Sequence, residues 1–312
     1  MLRSFGCLSL LVIFLIAFDC KGSVMDYACL EITPKRLMEK PRFLTATDGA
    51  LLAYWVHKPS IVSDQQKVLV FYHGGGAYQV DAYQQMAEEL AEKHDMTCYL
   101  FDIRGHGYSA GNRGDALSVR RVLLDVQEAI VFVKQQNPEA LLFVGGHSSG
   151  CGLLMNALQK GFVPADVAGM IFIAPFLGAE SKLVLKSDFI KKVSVWRFIW
   201  HGITGYGLNQ PAVYFNYPEW LRQRSPRLLD YYTVAMALAI TPTDGDIYLQ
   251  KILVPLHIII GNNDKQISSA LLQEWQKKGL LASTTTVTVV PSAGHFSILS
   301  ATSSILCNKE QQ

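Results

Sequence analysis

Leu141-Leu142-Phe143-Val144-Gly145-Gly146-His147-Ser148-Ser149-Gly150-Cys151-Gly152-Leu153-Leu154-Met155 is the stretch that decides the fold. An apolar run leads into Gly146-His147-Ser148-Ser149-Gly150 and a helical pattern leads out. This is G-x-S-x-G in the strand, turn and helix setting that a nucleophile elbow requires. So sharp a turn leaves space only for glycine on either side, and it lifts the Ser148 hydroxyl to the C-terminal edge of a sheet with a helix N-terminus behind it. Ser148, not Ser149, takes the central place. A Gly/Ser-rich turn without chemistry would carry the same five residues, so the reading leans on the flanking strand and helix and on the rest of the chain.

The alternation continues on both sides. Val68-Leu69-Val70-Phe71-Tyr72, Cys98-Tyr99-Leu100-Phe101 and Met170-Ile171-Phe172-Ile173 are further apolar runs, each soon followed by Gly, Asp or Pro, and they read as buried parallel strands. Tyr83 to Lys93, Val119 to Gln136 and Cys151 to Lys160 carry apolar residues at helical spacing and read as crossover helices. The expected class is α/β, a mostly parallel central sheet with helices on both faces. After Ala174-Pro175 the alternation stops, and it resumes at Leu256-His257-Ile258-Ile259-Ile260 and Thr286-Val287-Thr288-Val289-Val290. The expected organisation is a core of residues 43–175 and 253–305 interrupted by a helical cap, 176–252, with a leader at 1–22.

A serine hydroxyl becomes a competent nucleophile when a base takes its proton and a third group fixes that base. In this fold the order along the chain is Ser, acid, His, with the acid after one late strand and the His after the last. Gly261-Asn262-Asn263-Asp264 and Ser292-Ala293-Gly294-His295 fall there, which makes Asp264 and His295 the candidates. Asp244 and Asp246 precede no matching strand end, and His257 lies inside a strand. Tetrahedral intermediates need donors for an oxyanion, usually two backbone N–H groups. One can come from His73-Gly74-Gly75-Gly76 and the other from Ser149, the residue after the nucleophile.

At 312 residues the chain suits one large α/β domain with an insertion. Half its residues are hydrophobic and 17% are charged, against roughly 25% in an average soluble domain, which calls for a large core or a lipid-facing surface. A net charge of +2 without a Lys/Arg block excludes a phosphate-backbone partner such as nucleic acid. No H-E-x-x-H, paired C-x-x-C or carboxylate-rich loop suggests a metal, and no G-x-G-x-x-G follows the first strand, so no cofactor is expected. Met1 to Ser23 has the basic start, short apolar core and small residues of a secretory signal, so export, periplasmic or secreted, is expected; an uncleaved anchor and lipidation at Cys20 are the alternatives. Cys98 and Cys151 read as buried free thiols, and Cys29 with Cys307 as the candidate pair.

Together, His73-Gly74-Gly75-Gly76, Asp102-Ile103-Arg104-Gly105-His106-Gly107-Tyr108-Ser109, Gly146 to Gly150, Gly261 to Asp264 and Gly294-His295 resemble the monoglyceride lipase and lysophospholipase branch of α/β-hydrolases. The likeness spans about Phe43 to Ser300. By that resemblance Gly75 matches the first oxyanion donor, Ser148, Asp264 and His295 match the triad, Asp102 to Ser109 shape a loop beside the site, and the substrate is a lipid ester. The cap departs from the family's motifs. Three of the five tryptophans, Trp196, Trp200 and Trp220, fall in it. Trp196 and Trp200, with Lys191, Lys192 and Arg197 nearby, suit substrate binding and peripheral contact with a membrane, or simple packing of the cap. An amidase or aminopeptidase of the same fold, and a binding protein without activity, are the competing readings.

Overall fold

A computed structural model describes residues 25–27, 40–61, 63–79 and 81–307. The leader at 1–22 and Cys29, the expected partner of Cys307, lie outside the described residues. The central sheet has eight strands: β1 (Arg42–Thr45), β2 (Leu51–His57), β3 (Lys67–Tyr72), β4 (Met96–Phe101), β5 (Leu141–His147), β6 (Gly169–Ile173), and two late strands, Leu256–Gly261 and Thr285–Val290. Those last two are β10 and β11, because the insertion holds β7 (Ile190–Val193), β8 (Pro211–Phe215) and β9 (Tyr231–Thr233). The order across the sheet is β1-β2-β4-β3-β5-β6-β10-β11; β2 runs antiparallel to both β1 and β4, and every other pairing is parallel. Val68 to Tyr72 are buried without a break, as a strand covered on both faces demands.

That order locates a crevice. From β3 the chain passes through α1 (Asp81–His94) to β4 on one side, then through α2 (Val119–Gln136) to β5 on the other side, and on through α3 (Ser149–Gln159) to β6. Crossovers are right-handed, so reversing direction puts α1 on the opposite face from α2 and α3. The reversal lies between β3 and β5, and ligands of open α/β sheets bind beyond the C-terminal ends of the strands at such a point. His73 to Gly76 and Ser148 follow β3 and β5 directly. Two further helices complete the core: α8 (Ser269–Lys277) between β10 and β11, and α9 (Ile298–Cys307), which packs on α1.

The insertion between β6 and β10 differs from the helical cap expected from sequence. Besides α4 (Val195–Thr204), α5 (Glu219–Arg224), α6 (Val234–Ile240) and α7 (Gly245–Tyr248), it contains the antiparallel sheet β7-β8-β9. These strands have three to five residues, and their register shifts between Ile190 and Lys192 and between Pro211 and Val213, so no period of two develops. One helix, α6, belongs to the core by its packing. It is buried along nearly its whole length and lies so close to α3 that a Cβ on Gly152 would sit 2.2 Å from the Ile240 carbonyl oxygen. Asn156 of α3 donates to the Ala239 carbonyl at 2.8 Å, tying the two together.

Candidate active site

Ser148 follows β5 with φ 52 and ψ −118, a conformation that costs a non-glycine residue on the order of 1–3 kcal/mol. The surroundings enforce it. A Cβ on Gly146 would meet the Gly150 carbonyl carbon at 2.6 Å, and one on Gly150 would meet the Tyr72 and His73 carbonyl oxygens at 2.5 and 2.6 Å. Both glycines are therefore steric necessities of the turn. The Ser148 N–H donates to the Ile173 carbonyl at 2.9 Å, which locks the turn to the neighbouring strand.

Asp264 and His295 arrive on the loops after β10 and β11, and those loops are laced together. The Asn263 N–H donates to the Ala293 carbonyl at 2.9 Å, Asn262 Oδ1 accepts the Ser292 N–H at 2.7 Å, and Gly261 leaves the space that Ala293 fills. His295 Nδ1 lies 2.8 Å from Asp264 Oδ2, and His295 Nε2 lies 3.0 Å from Ser148 Oγ. An ionised carboxylate only accepts, so Nδ1 carries the proton and Nε2 is free to accept from the serine. All three residues are buried. Burial opposes ionisation of Asp264, but the His295 ring and the N–H groups of Gln266 and Ile267 outweigh it and hold the carboxyl below its usual range.

Gly75 and Ser149 are side by side: a Cβ on Gly75 would stand 3.3 Å from Ser149 Oγ and 3.6 Å from the rings of Phe189 and Phe215. Ser149 opens α3, where the first N–H groups have no intrahelical acceptor. The glycine loop is gripped from three directions. Gly74 N–H donates to Tyr83 Oη at 3.0 Å, Gly76 N–H donates to Tyr232 Oη at 2.6 Å, and the Tyr217 hydroxyl donates to the Gly75 carbonyl at 2.6 Å. Tyr217 and Tyr232 come from the insertion, so the loop takes its shape partly from the cap.

Two buried imidazoles extend these grips. His147 Nε2 donates to the His295 carbonyl at 2.9 Å, which leaves Nδ1 to accept from the Tyr83 hydroxyl, also at 2.9 Å. Burial, and then the adjacent His295, drive the His147 pKa down to about 3, so the ring is neutral. His106 Nδ1 donates to the Arg104 carbonyl, and its Nε2 accepts from Tyr232 at 2.8 Å. Burial, reinforced by His73, holds His106 well below its ordinary value. Asp102 is structural too: its two oxygens accept the Gln79 and Tyr108 N–H groups at 2.8 Å each, and burial pushes its pKa up to about 6. Arg104 of the same loop forms a two-pronged pair with Asp125 of α2.

Trp196 and Trp200 lie one turn apart on α4, 61% and 54% exposed, while Phe198 between them is buried. Ile203 and Tyr206 extend the exposed apolar face, and Arg197 lies against the Trp196 ring. The structure thus does not bring these tryptophans into the buried cluster around Ser148. Sequence reasoning passed over Tyr83, Tyr217, Tyr232 and the bridging role of His147, since isolated tyrosines follow no spacing rule. Cys98 and Cys151 are buried free thiols. Among the described residues, no group of three or more His, Cys, Asp or Glu side chains is placed to hold a metal ion.

Fold and elbow together define an α/β hydrolase. The chain belongs to the serine aminopeptidase, S33 family, whose model matches residues 63–298. It is 31% identical to the monoglyceride lipase of Rattus norvegicus over 147 residues, 46% of each chain. It is also 26% identical to the uncharacterized protein YnbC of Escherichia coli (strain K12) over 200 residues, 64% of this chain and 32% of that one. The chain thus spans a third to just under half of the length of these curated relatives. Among solved structures, a soluble variant of monoglyceride lipase from Saccharomyces cerevisiae, bound to a substrate analog, shares the fold with a TM-score of 0.62 at 14% identity, over 89% of this chain and 97% of that one. Est1E from Butyrivibrio proteoclasticus with ferulic acid bound gives 0.61 at 14% identity, over 86% and 98%.

Proposed function

We propose that the protein is a serine hydrolase that cleaves the carboxylic ester of a lipid, a monoacylglycerol or lysophospholipid, through an acyl-enzyme on Ser148. The observation that carries the reading is the unbroken line from Asp264 through His295 to Ser148 Oγ, at 2.8 and 3.0 Å, with Gly75 and Ser149 close together beside it. His295 Nε2 takes the Ser148 proton as Oγ attacks the ester carbonyl, and Asp264 steadies the imidazolium. The carbonyl oxygen gains negative charge in reach of the Gly75 and Ser149 N–H groups. Collapse breaks the ester C–O bond, and His295 hands its proton to the departing alcohol. Water, deprotonated by His295, then releases the fatty acid and restores Ser148. No cofactor takes part.

Phe189 and Phe215 border Gly75, and Tyr217 meets Phe189 edge-on, so the surroundings of the reacting carbonyl are apolar and suit an acyl chain. Partial identity to a monoglyceride lipase supports the same substrate class. The exposed aromatic face of α4 suits peripheral contact with a lipid surface, with Trp196 and Trp200 as its anchors. Export through the leader belongs to the same reading.

An aminopeptidase is the second reading. It needs an acid to hold the substrate's amino terminus, and Asp188, next to Phe189 and with Oδ1 buried and unpaired, is the acid available there. Assays with monoacylglycerols, lysophospholipids and aminoacyl anilides, alongside fluorophosphonate labelling, separate the possibilities. Ester turnover and labelling should vanish in Ser148→Ala and persist in Ser149→Ala, whose N–H remains. Anilide turnover that depends on Asp188 would refute the ester reading, and equal loss in both serine variants with the fold intact would refute Ser148 as the nucleophile.

A further inference from the structure

The segment Met25-Asp26-Tyr27 lies against the loop that bears His295. The Phe296 N–H donates to both Asp26 oxygens, at 3.0 and 3.2 Å, and the Ser297 N–H and hydroxyl both donate to Oδ2, at 2.8 and 2.7 Å. Ser297 Oγ in turn accepts the Gly294 N–H at 2.7 Å. The residues on either side of His295 are thus gathered onto one carboxylate, 270 positions away in the chain. The fit is close: a Cβ on Gly294 would stand 2.4 Å from Asp26 Oδ2, so only glycine before the histidine admits the carboxylate. Met25 and Tyr27 are buried, and the Tyr27 ring packs on Phe296 and Tyr217, with centroids 5.7 and 6.0 Å apart. Negative charge just before α9 also complements that helix's dipole.

We propose that Asp26 is a positioning residue that aims His295 at Ser148. The inference rests on the reading of His295 as the base. The Asp264 carboxylate fixes the ring and His147 fixes the carbonyl; Asp26 fixes the backbone that follows. A carboxylate suits the site because three donors converge on Oδ2 and the Phe296 N–H also reaches Oδ1, so an amide would set its NH2 against the Phe296 N–H whichever way it turned. A displacement of about 1 Å at a proton-transfer partner costs on the order of 100-fold in rate.

The test measures kcat and KM of Asp26→Asn on a soluble short-chain ester, with kcat normalised to active serine by end-point fluorophosphonate titration, below the variant's melting temperature. The expected result is a fall of at least tenfold in kcat with KM changed less than twofold. A purely structural role would lower the melting temperature and leave kcat per active serine unchanged. A fall in kcat under threefold overturns the proposal; a larger one supports it. Should Asp26→Asn not fold, Ser297→Ala decides on the same threefold criterion, since it removes one donor and the link to Gly294 while keeping the backbone contacts. If the parent protein does not depend on Ser148 and His295, the functional reading falls and takes this proposal with it. Dependence on both without dependence on Asp26 overturns this proposal alone.

Discussion

The Tyr232 hydroxyl oxygen accepts the Gly76 N–H at 2.6 Å, joining the last cap strand to the glycine loop 156 positions earlier. The same hydroxyl donates to His106, which is held neutral, so its proton has one direction to point. Tyr232→Phe would leave a buried N–H and a buried imidazole nitrogen without partners, at a stability cost of about 1–3 kcal/mol for each. Turnover should fall about tenfold through a misplaced Gly75 N–H, less than the 100- to 1000-fold typical of deleting an oxyanion donor. KM for a short soluble ester should hold. A folded Tyr232→Phe protein with normal kcat would show that the cap does not shape the hole.

Asp264 accepts from His295 and two backbone N–H groups, so the amide of Asp264→Asn has to place an NH2 against a donor or turn the ring over. The kcat should drop by roughly three to four orders of magnitude, with substrate binding little changed. Near-normal turnover, with loss instead in Asp244→Asn or Asp246→Asn, would move the acid elsewhere. Asp246 is already engaged by the Ser181 hydroxyl and the Lys182 N–H.

Acid should destabilise the fold through its buried rings. Burial lowers His73 to about 4 and His147 to about 3, and His106 is lowered as well, whereas an unfolded histidine titrates near 6.5. Below that value the unfolded chain binds more protons, so the stability these rings provide is complete above about pH 6.5 and is lost as pH falls toward the folded values. Asp102, raised to about 6, acts in the opposite sense, since its folded form keeps a proton that the unfolded carboxyl gives up, and Asp125, also raised by burial, does the same. Three rings against two acids leave a net loss of stability as pH falls from 6 to 5. Denaturant midpoints that stay flat over that interval would contradict this.

Trp196 and Trp200 are exposed, so Trp196→Glu with Trp200→Glu should cost no more than about 0.5 kcal/mol of stability per site. Turnover of micellar long-chain substrate should fall by one to four orders of magnitude, because each aromatic seated in lipid is worth roughly 1.5–3 kcal/mol. A short soluble ester should be spared. Parallel loss on both substrates would end the interface idea.

The core was legible because its signals are local and steric. An apolar run, a turn that admits only glycine and a helix occupy fifteen consecutive residues around Ser148, and Asp264 and His295 sit just past two valine- and isoleucine-rich strands. The contacts that shape the surroundings join residues far apart in the chain: Tyr83 with His147, Tyr217 with Gly75, Tyr232 with Gly76 and Asp26 with Ser297. A lone tyrosine or aspartate in a stretch without period carries no mark of its partner. The cap strands were hidden for a related reason. Ile190–Val193 and Tyr231–Thr233 are too short and too irregular in register to alternate.

Ser148 holds a backbone shape that glycine adopts more readily than serine. Its strain sets two kinds of selection against each other. A library screened for heat tolerance alone would enrich Ser148→Gly and discard the hydroxyl, whereas one screened for turnover would keep the serine and gather its compensating changes elsewhere. Lineages of this chain evolving toward hotter habitats would then be expected to vary around the elbow and hold the elbow itself still.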